Sequence, residues 1–107
     1  MMQAGYEVIF MAPQSRFHGQ KRVTDWIVDK AKELGIKRVT KRLDAEGSGA
    51  GGHLHSWHFF ELADQPVEVM FVLEADLADR LIDAVTAEGV HVFCVRKPVD
   101  FGELGRD

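Results

Sequence analysis

Apolar positions along the chain alternate in some stretches and recur every three to four residues in others, and the two patterns trade places in order. Tyr6-Glu7-Val8-Ile9-Phe10-Met11 is rich in β-branched and aromatic residues and is closed by Pro13, which predicts a first strand. After a polar stretch from Gln14 to Gln20, the residues Val23, Trp26, Ile27, Ala31 and Leu34 fall at helical spacing, and Gly35 is placed to stop that helix. Residues 37–43 carry Val39 and Leu43 on one strand face among basic neighbours, which predicts an exposed or edge strand. A glycine-rich segment follows from about Asp44 to Gly52, and residues 57–62 are expected to be a short extended crossing before the turn signal Ala63-Asp64-Gln65-Pro66.

The second half repeats the rhythm. Residues 67–74 form the clearest strand, with Val67, Val69, Phe71 and Leu73 on one face and Met70 and Val72 on the other. Asp76 is expected to cap the next helix, with Asp79 adding negative charge to its first turn. Leu77, Leu81, Ala84 and Val85 make its apolar stripe, Gly89 ends it, and residues 90–95 give the last strand before a polar tail from about Asp100. The order β-α-β, loop, β-α-β predicts an α+β fold, a ferredoxin-like βαβ-βαβ sandwich with an antiparallel sheet and both helices on one face. Two helices cover one face only. The apolar residues pointing the other way (Ile9, Met11, Met70, Val72) then call for burial against other subunits.

At 107 residues and 46% hydrophobic content, the chain is one domain over residues 1–107 with enough apolar matter for a core. A net charge of −4 speaks against nucleic acid as a partner, although Lys37, Arg38, Lys41 and Arg42 form a local positive segment suited to a small anion. The single cysteine, Cys94, lies in the apolar run Val92-Phe93-Cys94-Val95 and is expected to be a buried thiol rather than half of a disulfide. No basic leader and no long apolar run is present, so a cytoplasmic protein that does not itself span a membrane is expected.

Candidate chemistry gathers around the glycine-rich segment. Gly47, Gly49 and Gly51 leave backbone N–H groups unhindered, as in anion-binding nests, and Lys41 and Arg42 lie just before them. No phosphate-loop or dinucleotide fingerprint is present. His53, His55 and His58 form an H-x-H-x-x-H cluster that, with Asp44, Glu46 or Glu61, could hold a divalent transition metal, and His18 could join after folding. The spacing matches no structural zinc motif, and polar lining of a loop is the simpler reading. His91 is expected to be structural, and Trp57 to pack beside the loop. Ser48 and Ser56 sit near histidines in sequence only, which makes no triad. Asp25 and Asp29 on the first helix, and Asp76, Asp79 and Asp83 on the second, are expected on solvated faces, and Trp26 in the core.

The helix Val23-Thr24-Asp25-Trp26-Ile27-Val28-Asp29-Lys30-Ala31-Lys32-Glu33-Leu34-Gly35-Ile36, the glycine-rich stretch, His53-Leu54-His55 and Leu62-Ala63-Asp64-Gln65-Pro66-Val67-Glu68-Val69 occur in an order that resembles the PII-like signalling proteins. The likeness covers about residues 6–99 and is nearest to the DUF190 group, beside the PII and CutA folds. It implies a homotrimer with inward-facing sheets and a small effector, often an adenine nucleotide, held between subunits. A loop over residues 44–55 would report occupancy to a transporter or enzyme. By this likeness Lys41, Arg42, Gly47, Gly49 and Gly51 are the effector-binding residues of a non-catalytic regulator. The segment is short and has no tyrosine between Asp44 and His53 to be nucleotidylated. The alternatives are a histidine-based metal-binding or metal-responsive protein, and a small ferredoxin-like barrel enzyme. The last needs a pocket between sheet and helices, a space that the apolar stripes fill.

Overall fold

The computed structural model describes residues 1–43 and 65–105. Four strands make the main sheet: β1 (Gln3–Pro13), β4 (Thr40–Leu43), β5 (Pro66–Leu73) and β6 (Phe93–Phe101), in the order β4-β5-β1-β6. Every neighbouring pair is antiparallel. Two-residue strands β2 (Phe17–His18) and β3 (Lys21–Arg22) form a small hairpin just before α1 (Val23–Glu33), and α2 (Ala75–Ala87) links β5 to β6. The expected ferredoxin-like arrangement is present.

The register explains the core. Ala12, Phe10 and Val8 of β1 stand opposite Val67, Val69 and Phe71 of β5. All six are buried, and Val8, Phe10, Ala12, Val69 and Phe71 pack into one layer with Val23, Ile27 and Ala31 of α1 and Ala78, Leu81 and Val85 of α2. Both helices therefore lie on the Val69–Phe71 face, and Phe10 meets Phe71 edge-on with ring centroids 6.1 Å apart. Burying side chains of this size contributes roughly 1.5–3 kcal/mol each, so this layer carries the stability of the domain. Gly35 and Gly89 adopt φ of +86° and +70° just beyond the two helices, the left-handed conformation in which a side chain would be strained.

Several expectations are corrected. The stretch 14–20, expected to be a polar connection, contributes to the β2–β3 hairpin. The cap of α2 is Glu74, without a side-chain hydrogen bond, because the helix begins at Ala75; Asp76 sits inside the first turn, where its charge still favours the helix N-terminus. Asp79 bonds Arg96 at 2.7 Å instead of serving that first turn. The last strand runs over Phe93–Phe101 rather than 90–95, because nine ladder positions against β1 hold it in place although much of it is exposed. Cys94 is exposed rather than buried: it lies opposite Phe10 on the edge strand, at the margin of the helical layer. Partial desolvation of its sulfur still pushes the thiol above its ordinary value of 9.0, against the opposing pull of Arg96, so it is not a ready thiolate nucleophile. Trp26 is half-buried, with His18 against its edge at 5.4 Å and Lys30 at 5.5 Å from its centroid.

Candidate functional site: a basic groove at the end of the sheet

A helix that stops at a left-handed glycine releases the chain abruptly. Beyond Gly35, Ile36 tucks into the core, while Lys37, Arg38 and Val39 run exposed to the start of β4. That connection forms one wall of a groove. Met70 and Val72 of β5 contribute to its floor, and Phe101 at the end of β6 contributes another wall. The groove joins two cations to an apolar floor, which is chemistry suited to a ligand with an anionic group and a flat apolar part.

Its location relative to the sheet matters as much. Thr40 stands opposite Met70, and Met70 opposite Ile9, which sets these groove residues on the face away from the helices, while Leu73 and Leu77 line it from the helical side. On that face Ile9 and Met11 are buried near the centre, whereas Val72 and Phe93 are 40% and 39% exposed. The groove and this apolar surface share Met70 and Val72.

The expected anion-binding residues divide at β4. Lys41 stands opposite Val69 on the helical side, and its ammonium donates to Asp25 of α1 at 3.0 Å. Arg42 stands opposite Glu68 and shares the other side of the strand. Successive strand residues point to opposite faces, so these two neighbours do not aim at one point. The groove is lined by the preceding pair, Lys37 and Arg38, with Arg38 ion-paired to Glu103. Gly47, Gly49, Gly51, His53, His55, His58, Asp44, Glu46, Ser48, Ser56, Trp57 and Glu61, and the extended crossing at 57–62, lie outside the described residues. Among the described residues, no three of His, Cys, Asp and Glu are grouped to hold a metal. His18 is 3.7 Å from Glu88, and His91 accepts a hydrogen bond from Arg16 through its carbonyl oxygen. Asp25, Asp29 and Asp79 all meet cations, so these helix acids serve surface ion pairs.

The basic run itself was visible in the sequence, but the groove's apolar part was not. Val72 and Phe101 are far apart in the chain and line one groove because the sheet order sets β5 and β6 on either side of β1.

Comparison with known proteins identifies the family and supports the fold. A family model described as DUF190, an uncharacterized ACR, matches residues 8–100, and the chain belongs to that family. A search of curated proteins gives no match. Among solved structures, the chain is similar to CPII from Thiomonas intermedia bound to ADP, AMP and acetate, at 12% identity and a TM-score of 0.67, covering 96% of this chain and 93% of that one. The apo form of CPII, a nitrogen regulatory PII-like protein, matches at 10% identity and a TM-score of 0.66, over 96% and 97% of the two chains. A protein from Thermus thermophilus, assigned as PII-like and signaling, matches at 17% identity and a TM-score of 0.61, over 94% and 90%. At these identities the likeness is one of fold. No helix among the described residues is long and apolar enough to cross a membrane.

Proposed function

We propose that this member of the DUF190 family is a non-catalytic, homotrimeric regulator that binds an adenine nucleotide in the groove beside Lys37 and Arg38. The observation that carries the reading is the groove's makeup, two adjacent cations against an apolar floor. Its setting adds support, since CPII, a protein of the same fold, is known with ADP and AMP bound. Lys37 and Arg38 would take the phosphate oxygens, with Arg38 able to donate two parallel hydrogen bonds. Val72 and Met70 would offer apolar surface to the base.

The same floor explains why the site would lie between subunits. Assembly through the exposed apolar face would bury Val72 and Phe93 and bring a second chain to the groove's mouth. Residues 44–55, joined to the groove through β4, would then present a different surface to a transporter or enzyme partner when nucleotide is bound. This requires the nucleotide to favour one arrangement of that segment over another. Lys41, Arg42 and the glycines Gly47, Gly49 and Gly51 would act at its base.

The test is direct. Titration calorimetry with ADP should give saturable heat, and Arg38→Gln should weaken binding by about tenfold, the scale of one charge-assisted hydrogen bond. Unchanged affinity in Arg38→Gln would remove the groove as the site.

A further inference from the structure

The groove already holds one anion, and it belongs to the chain itself. Glu103 lies just beyond the end of β6, where the last ladder pair is Gln3 with Phe101. Its carboxylate accepts from the Arg38 guanidinium, one of the two cations of the groove. The backbone here is tightly seated. A Cβ on Gly102 would lie 2.3 Å from the Met1 carbonyl oxygen, so only glycine lets the chain pass this closely over the N-terminus. Met1 and Gly102 also line the groove. Glu103 is thus delivered to Arg38 by a short strap anchored at one end in the sheet and bedded on the first residues of the chain.

The contact is placed to be exchanged. The Arg38 side chain is 79% exposed and that of Glu103 is 37% exposed. Exposed ion pairs are worth little and are easily displaced. A phosphate group carries more charge than one carboxylate and offers more acceptor oxygens to the same guanidinium. Resting on the nucleotide reading of the groove, we infer that Glu103 is a built-in competitor for the ligand's phosphate. Binding replaces carboxylate by phosphate on Arg38 and frees the chain after Phe101 from the groove wall. The strap thereby sets a threshold concentration for the ligand and gives the occupied state a second altered surface, at the C-terminal end of the sheet.

The experiment is calorimetry with ADP on the full chain, as wild type, Glu103→Gln, Arg38→Gln and the double variant, with thermal melts to verify folding. Glu103→Gln should bind ADP about threefold more tightly, the scale of one exposed ion pair. In the Arg38→Gln background the same change should give little gain, since the competitor then has nothing to compete for. ADP should also shift the amide resonances of Gly102 and Leu104 in wild type. Equal or weaker binding by Glu103→Gln, or the same gain in both backgrounds, overturns the strap while leaving the nucleotide site standing. Absence of ADP binding by wild type and Glu103→Gln alike overturns the site and the strap with it.

Discussion

Phe71 and Val72 are consecutive residues on the same strand and meet opposite fates. Phe71 is 1% exposed, locked between Phe10 and the two helices; Val72 is 40% exposed on the side of the sheet away from the helices and forms part of the groove. One face of the sheet is closed by the chain's own helices. On the other, Ile9, Met11 and Glu68 are buried, and Val72 and Phe93 are partly exposed. A single sheet thus divides two roles: the helical face holds the fold together, and the face away from the helices is where assembly and ligand binding would meet.

The first way to break that division is on the helical side. Phe71→Ala should cost about 3–5 kcal/mol, since it deletes a buried ring with few means of collapse around it, and denaturant melts would register the loss. A cost near that of a surface change would mean the core lies elsewhere. Next comes the seam where β1 meets its neighbours. A Cβ on Gly5 would lie 2.3 Å from the Leu73 carbonyl oxygen and 2.4 Å from a Phe101 ring carbon, so Gly5→Ala should destabilise by about 1–3 kcal/mol in the same melts.

On the face away from the helices the expected pattern inverts. Val72→Lys should leave monomer stability within about 0.5 kcal/mol while shifting the protein to a smaller species in light scattering. An unchanged mass would detach assembly from this face.

The smallest effect concerns Lys21 and Asp29, an exposed ion pair between the hairpin and α1. The hydrogen bond to Asp29, aided by its charge, raises Lys21 above its ordinary 10.5, and the hydrogen bond from Lys21 lowers Asp29 below its ordinary 3.8. The lysine's contribution is complete below its ordinary value and is lost as pH rises through the raised folded-state value. The aspartate's is complete above 3.8 and is lost as pH falls through its lowered value. Melting temperatures of wild type and Asp29→Asn should therefore differ slightly across neutral pH and converge at both extremes. A gap that persists in strong acid or base would assign the effect to something other than this pair.

What could be read from the sequence follows the same division. Alternation revealed the face Val67, Val69, Phe71, Leu73 because burial of that face is enforced by helices whose own stripes are equally regular. The glycine stops at Gly35 and Gly89 were legible because positive φ restricts the residue choice. Elements that burial does not enforce escaped. In β6 the run Arg96-Lys97-Pro98 interrupts the alternation of Phe93, Val95, Val99 and Phe101, so the strand looks shorter in the sequence than its ladder to β1 makes it. Cys94 looked interior because its neighbours in sequence are apolar, yet an edge strand exposes what a central strand buries. The β2–β3 hairpin is too short to carry a period at all. At the site, the cations were evident as a basic run, but their sorting was not: strand pairing sends Lys41 to Asp25 and leaves Lys37 and Arg38 on the groove. The groove's own walls arise from contacts between distant segments, which local pattern does not encode.

What is proposed for this protein turns on whether the basic groove at the end of the sheet takes an adenine nucleotide. Titration of ADP into the wild-type protein and into Arg38→Gln tests it most directly. Binding should saturate and weaken by about tenfold when the guanidinium is removed; heat that never saturates in the wild type, or identical curves for the two proteins, would overturn the nucleotide site.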